Sequence, residues 1–161
     1  MAGLRVAVIT VSDSSAQGIR PDKSGPAVAE RCRALGWDVA SAEVLSDDRA
    51  GLEARLAALA DSDSFDVVVT TGGTGVGPRD STPEATMAVC AKLVPGLGEV
   101  MRAKGREKTT RAVLSRAVAG VRGRTLIVNL PGSPKGAVDS LDAVADVLPH
   151  SIEALRGARH D

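Results

Sequence analysis

A chain of 161 residues supports one compact domain with a sizeable core and is too short for two. Its 20 basic and 20 acidic side chains cancel, and it has Trp37, Phe65 and no tyrosine, so it lacks both the basic excess and the stacking rings of a nucleic-acid binder. No apolar run approaches the ~18–20 residues that span a bilayer, and Met1–Val11 reads as an early strand and not a leader, so no membrane role and a cytoplasmic location are expected.

The first predicted element is the strand Leu4–Val11, short, β-branched and almost continuously apolar, as a strand covered on both faces should be. Ser24-Gly25-Pro26 opens a helix with proline where its missing N–H costs nothing, and Gly36 stops that helix after Leu35. Trp37–Leu45 reads as a second strand, less continuous and so nearer an edge. Asp48–Ala60 follows as a helix with Leu52, Leu56 and Leu59 on one face. Phe65–Thr71 is a third strand, and Thr82-Pro83-Glu84 starts the next helix with a cap, a proline and a first-turn acid. Between Pro95 and Gly123 two short helical pieces are expected, Leu97–Lys104 and Arg111–Val118. Thr125–Leu130 is a fourth strand, and Pro134–Leu155 a helix bent at Pro149, with Val138, Leu141, Ala145 and Leu148 as its core stripe. Cys32 recurs with Val28 and Leu35, and Cys90 with Met87 and Val94, at helical spacing, so both are expected to be reduced core residues. Strands alternating with helices give one doubly wound α/β domain over residues 1–161, a mostly parallel sheet with helices on both faces.

In such a sheet ligands bind beyond the carboxyl ends of the strands. The four unusual segments all fall there: Val11-Ser-Asp-Ser-Ser15, Ser46-Asp-Asp48, the glycine loop Thr70–Glu84, and Asn129-Leu-Pro-Gly-Ser-Pro-Lys135. The glycine loop places Gly72, Gly73, Gly75 and Gly77 with Arg79 and Asp80 ahead of a helix start. Glycine lets backbone N–H groups close on a phosphate. A carboxylate facing phosphates repels them unless a cation sits between, so Asp80 points to a Mg2+–phosphate site. Asp47 and Asp48 together offer one helix cap and one spare carboxylate. Ser12 and Asp13 suit a turn or a ligand contact, and Arg79 and Lys135 suit an anion or solvent. His150 and His160 read as incidental. The loop is neither a Walker-type phosphate loop nor a dinucleotide fingerprint, no Cys/His cluster has zinc spacing, and no nucleophile elbow is present.

Seven segments in order, Thr10-Val-Ser-Asp13, Asp22-Lys-Ser-Gly-Pro26, Thr71-Gly-Gly-Thr-Gly75, Pro78-Arg-Asp80, Thr82-Pro-Glu-Ala-Thr86, Leu114-Ser-Arg-Ala117 and Asn129-Leu-Pro-Gly-Ser-Pro134, carry a resemblance that covers essentially the whole chain. It resembles the MogA/MoaB family of molybdenum-cofactor biosynthesis proteins, similar to the gephyrin G domain, and within that family the molybdopterin adenylyltransferases. The resemblance implies a homotrimer or a dimer of trimers. It also implies a reaction in which the terminal phosphate of molybdopterin attacks the α-phosphorus of ATP, giving adenylyl-molybdopterin and pyrophosphate, with a molybdenum-insertion protein downstream. Asp80 and Asp47 would hold Mg2+ as the catalytic carboxylates. Gly72, Gly73, Thr74 and Gly75, with Lys135 or Arg79, would meet phosphate charge. Ser115 and Arg116 would line the pterin site, and Ser12, Asp13, Pro131, Gly132 and Ser133 would complete the substrate contacts. The chain departs from the family pattern at Ser46-Asp47-Asp48, where Pro-Asp is usual, leaving Asp47 and Asp48 both open as the metal carboxylate. It departs again at Thr109-Thr-Arg111, where Thr-Pro-Phe is usual. The alternative is a non-catalytic MoaB-type molybdopterin-binding or scaffold protein.

Overall fold

The computed structural model describes residues 3–157; His160 lies outside them. Strand β1 (Arg5–Val11) leads through a short helix α1 (Asp13–Ala16) to helix α2 (Ser24–Ala34), strand β2 (Asp38–Leu45), helix α3 (Arg49–Asp61) and strand β3 (Val67–Thr71). Helix α4 (Thr82–Val89), strand β4 (Lys92–Leu93), helix α5 (Pro95–Arg106) and a single-turn 3-10 segment (Thr110–Leu114) come next. Strands β5 (Ala119–Arg122) and β6 (Thr125–Leu130) and helices α6 (Pro134–Val144) and α7 (Leu148–Leu155) complete the order.

The sheet runs β2-β1-β3-β6-β5-β4. Its first four strands are parallel, and β5 and β4 add antiparallel at the far edge. β-Strand side chains alternate between faces, so Val6, Val8, Val67 and Val69 enter one core with Val28, Leu141, Leu148 and Ile152. Ala7, Ile9 and Val68 enter the other with Leu52, Leu56, Leu59 and Ala85. Both faces are covered, which is why β1 and β3 read as nearly continuous apolar runs. Among the described residues, no helix is long and apolar enough to cross a membrane.

Three expectations are corrected. The predicted helix Arg111–Val118 is only the 3-10 turn Thr110–Leu114. From Val118 the chain is extended, because the Val118 amide donates to Asn129 Oδ1 (3.2 Å) and its carbonyl accepts the Asn129 amide (3.0 Å). Pairing with β6 thus overrides the helix-favouring alanines of this stretch, and the hairpin closes through Gly123 at φ 58°. The predicted helix Pro134–Leu155 does not bend at Pro149; it breaks upstream at residues 145–147, and Pro149 lies in the first turn of α7. A proline ring clashes with the carbonyl four residues back and supplies no N–H to it, so the interruption falls at Ala145. Cys32 is fully buried as expected, but Cys90 ends α4 half-buried and Met87 is exposed.

Candidate active site at the carboxyl edge of the sheet

β3 ends at Thr71, and the chain turns through Gly72 (φ 105°) and Gly73 (φ 69°). A Cβ on Gly72 would sit 2.3 Å from the Val11 carbonyl oxygen, and one on Gly73 2.2 Å from Thr82 Oγ1. Glycine therefore lets the loop lie directly against the ends of β1 and α4. Thr71 Oγ1 donates to Pro131 O (2.6 Å) and the Gly72 amide to Leu130 O (3.1 Å), tying the loop to the end of β6. Buried Thr82 donates its hydroxyl to Gly72 O (2.9 Å) and its amide to Gly73 O (3.1 Å). Below it, fully buried Asn129 donates to Thr70 Oγ1 (3.1 Å) and Thr86 Oγ1 (2.9 Å), fastening β3, β6 and α4 together.

Arg116 braces the same loop from outside. Its Nε donates to Gly75 O (2.8 Å), one terminal nitrogen to Asp80 O (2.9 Å) and the other to both carboxylate oxygens of Glu84 (2.8 Å each). Its amide donates to Thr74 O (2.8 Å). Every guanidinium nitrogen is engaged with protein, so Arg116 positions the loop instead of lining a binding surface.

The carboxylates sort into different tasks. Asp48 caps α3, accepting the Gly51 amide (3.0 Å). Asp47 and Asp13 exchange backbone-to-carboxylate bonds: the Asp13 amide donates to Asp47 Oδ2 (3.0 Å) and the Asp47 amide to Asp13 Oδ1 (2.9 Å). Arg79 clamps Asp13 through Nε and a terminal nitrogen, both at 3.0 Å. That clamp and the Asp47 amide hold the Asp13 carboxyl below its ordinary range. Asp47 is pushed up instead: burial is the main cause, the bond from the Asp13 amide opposes it, and the nearby charges of Asp13 and Asp80 add to it. Asp80 Oδ2 accepts the Gly77 amide (2.9 Å) and lies 2.8 Å from where a Cβ on Gly75 would be. Asp47 Oδ1 lies 3.1 Å from the same position on Gly73. Among the described residues, Asp47 Oδ1 and Asp80 Oδ1 accept no hydrogen bond.

Two cavities open beside this loop. The first, about 650 Å3, has apolar walls from Met101, Leu114 and Pro131 and polar groups from Ser115, Lys108 and Asp139. The second, about 490 Å3, is lined by Ser12, Arg20, Lys23, Ser24 and Asp47 among others. Gly73, Asp80, Gly132 and Ser133 line both. Thr74 and Gly75 border the first cavity, Gly72 the second, and Pro131 the first. The structure thus gathers most of the residues singled out from sequence around one seam. Asp13, Arg79, Arg116 and Lys135 line neither cavity. Ser12 also caps α1 through the Ser15 amide (3.2 Å), and Ser133 caps α6 through the Gly136 amide (3.1 Å).

The seam suits a hard divalent cation. It offers two carboxylate oxygens with spare lone pairs and a like-charge repulsion that a cation would relieve. Among the described residues, no group of three or more His, Cys, Asp or Glu forms a metal cluster. The pair Asp47 and Asp80 could hold Mg2+, which takes one or two carboxylates and completes its shell with water and substrate phosphates. Sequence reasoning read Glu84, the anchor of Arg116, only as a first-turn acid and Ser24 only as part of a helix start, and gave no role to Arg20 or Lys23, although Asp22-Lys-Ser-Gly-Pro26 was visible as a segment.

Residues 7–150 match the family described as "Probable molybdopterin binding domain". The chain is 39% identical to a Helicobacter pylori protein named molybdopterin adenylyltransferase, over 98% of this chain and 90% of that one. It is 38% identical to the Escherichia coli protein of the same name, over 98% and 88%. Among solved structures it resembles the molybdopterin biosynthesis enzyme MoaB from Thermus thermophilus, with a TM-score of 0.90, 48% identity and coverage of 96% and 97%.

Proposed function

The chain belongs to this molybdopterin-binding family, and from that premise we propose that it is a molybdopterin adenylyltransferase of molybdenum-cofactor biosynthesis. A phosphate oxygen of molybdopterin bonds to the α-phosphorus of ATP. The bond from that phosphorus to the α,β-bridging oxygen breaks, and pyrophosphate leaves. Both reactants are anions, so charge neutralisation and alignment dominate the barrier. The observation that carries the reading is the seam. Two separate cavities suit two substrates, and Asp80 lines both.

The larger cavity, with its apolar walls, takes the pterin, and Ser115 supplies a polar contact there. The smaller, polar one takes the nucleotide. Asp47 and Asp80 would hold Mg2+, which when bound lowers phosphate repulsion and polarises the α-phosphate. The Gly72–Gly75 backbone, fixed by Thr82 and Arg116, aligns the reacting phosphates. No covalent nucleophile is needed. In keeping with that, burial pushes both thiols, Cys32 and Cys90, up to about 11.

This function is tested by pyrophosphate release from ATP and Mg2+. Release that depends on added molybdopterin supports it, and binding of molybdopterin without release contradicts it. The second outcome would favour a non-catalytic binding or scaffold role. The proposal extends to a cytoplasmic homotrimer, or a dimer of trimers, that passes its product to a molybdenum-insertion protein.

A further inference from the structure

Arg79 and Asp13 line neither cavity, yet they bind each other beside the two site carboxylates. Arg79 Nε and one terminal nitrogen donate to different oxygens of Asp13, each at 3.0 Å. Asp13 is in turn locked to Asp47, the amide of each donating to the carboxylate of the other. Arg79 directly precedes Asp80 in the chain. A continuous path therefore joins the two site carboxylates: from Asp80 along the backbone to Arg79, across the ion pair to Asp13, and on to Asp47.

The rest of the loop is tied elsewhere. Arg116, which leads into β5, takes the carbonyls of Thr74, Gly75 and Asp80. Among the described residues, the Arg79–Asp13 pair is the hydrogen-bonded link from residues 74–80 to the ends of β1 and β2, where Asp13 and Asp47 stand. Asp47 and Asp80 carry like charge and repel, so their separation needs a tie that resists it. The pair is poorly suited to stabilising the fold: the Arg79 side chain is 64% exposed and that of Asp13 33%, and exposed ion pairs contribute little. A two-point guanidinium–carboxylate contact does fix distance and orientation. The clamp supplies geometry more than stability.

We propose that the Arg79–Asp13 clamp sets the span between Asp47 and Asp80 and so makes the seam selective for Mg2+ over larger divalent cations. This rests on the adenylyl-transfer reading, and it gives two residues that the resemblance assigned to substrate contact a positioning role instead. Mg2+ demands near-ideal octahedral geometry, whereas Ca2+ accepts a larger and more flexible shell. Carboxylates held at a fixed span suit the first. Carboxylates free to drift apart still serve the second. Asp13→Asn removes the charge that holds Arg79 but keeps an oxygen for the Asp47 amide, so it opens the clamp and leaves the Asp13–Asp47 backbone bonds in place.

The test is calorimetric titration of ATP, in excess Mg2+ or excess Ca2+, into the wild type, Arg79→Ala, Asp13→Asn and the double variant. Each single variant should bind Mg2+-ATP about tenfold or more weakly, the scale of losing a group that orients a metal ligand. Ca2+-ATP should weaken by less than about threefold. The double variant should match either single variant within about twofold, because one clamp is lost only once. Melting temperatures should stay within about 3 °C of the wild type, which separates lost geometry from lost fold. Equal weakening with both cations in Arg79→Ala, with Asp13→Asn unchanged or tighter, would mean that Arg79 grips phosphate directly, and overturns the proposal. Additive losses in the double variant overturn it too, as does a wild type that binds ATP with neither cation. Mg2+-selective weakening supports it even when no adenylyl-molybdopterin forms, so failure of the reaction assignment shows separately.

Discussion

Asp48 accepts the Gly51 amide at the start of α3, whereas Asp47 keeps one oxygen open beside Gly73. Replacing these neighbours one at a time therefore separates a cap from a site carboxylate. Asp48→Ala should cost about 1 kcal/mol of stability and leave turnover nearly intact. Asp47→Asn should keep the fold but lower turnover about a hundredfold or more. Thermal melts and initial rates check both, and equal small losses in rate would remove Asp47 from the site. In the sequence the two were indistinguishable, because adjacency shows two oxygen donors and not which amide lies within reach of each. Arg116 was placed at the pterin site by the family resemblance, and Arg79 and Asp13 stayed open between a ligand contact and a surface or turn role: residue type shows that a guanidinium needs acceptors, not that backbone carbonyls and carboxylates of the same edge will supply them. A further charge lies away from the site. The Asp66 side chain is 5% exposed. Burial pushes its carboxyl up, but the amide and guanidinium of Arg5 and the charge of Arg156 outweigh it, so it titrates below the ordinary value of 3.8. A depressed folded-state pKa contributes stability above the unfolded value and loses it as pH falls through the folded one. Asp66→Asn should therefore cost about 2 kcal/mol near pH 7, the scale of hydrogen bonds to a charged group, with the gap to wild type narrowing below about pH 4. Denaturant melts at pH 7 and pH 3 measure it, and an unchanged gap would contradict the assignment.

The parallel strands and the helices between them were legible because each carries its own periodicity and its own stop signal. Gly36 after α2 and Pro83 in the first turn of α4 are examples. The β4–β5 edge was not legible, since β4 has two residues and β5 four, too few to show a period, and β5 takes its extended form from pairing with β6 across the hairpin. The glycine loop was legible as a cradle, but the element that stiffens it was hidden until Arg116 was seen reaching Gly75, Asp80 and Glu84. Arg116→Lys retains charge yet cannot satisfy those separated acceptors. It should weaken Mg2+–ATP binding about tenfold or more through the displaced Asp80, with a stability loss of about 1–3 kcal/mol. Full retention of nucleotide affinity in that variant would show that the loop holds its shape without the brace.

At the scale of the whole molecule, charge neutrality and the scarcity of aromatic residues exclude functions without choosing one. The choice rests on the carboxyl edge, where the ends of β1, β3 and β6 bring two cavities together at Asp80, with Asp47 lining the second. The surface also carries large apolar side chains, among them Ile19 at 75%, Val76 at 71% and Val113 at 59% exposure. Burial of such groups between subunits is consistent with the proposed trimer. Light scattering at micromolar concentration should give three times the 16.4 kDa chain mass, or twice that again for a dimer of trimers, and a monomer would contradict it. The most direct test of the central claim is mass spectrometry of adenylyl-molybdopterin formed from molybdopterin, ATP and Mg2+ by the wild type and by Asp80→Asn. The account requires product from the wild type and at least about a hundredfold less from the variant, which still folds and binds molybdopterin. Equal product from both would move the metal away from Asp80, and no product from a wild type that binds molybdopterin would leave the seam as a binding site without chemistry.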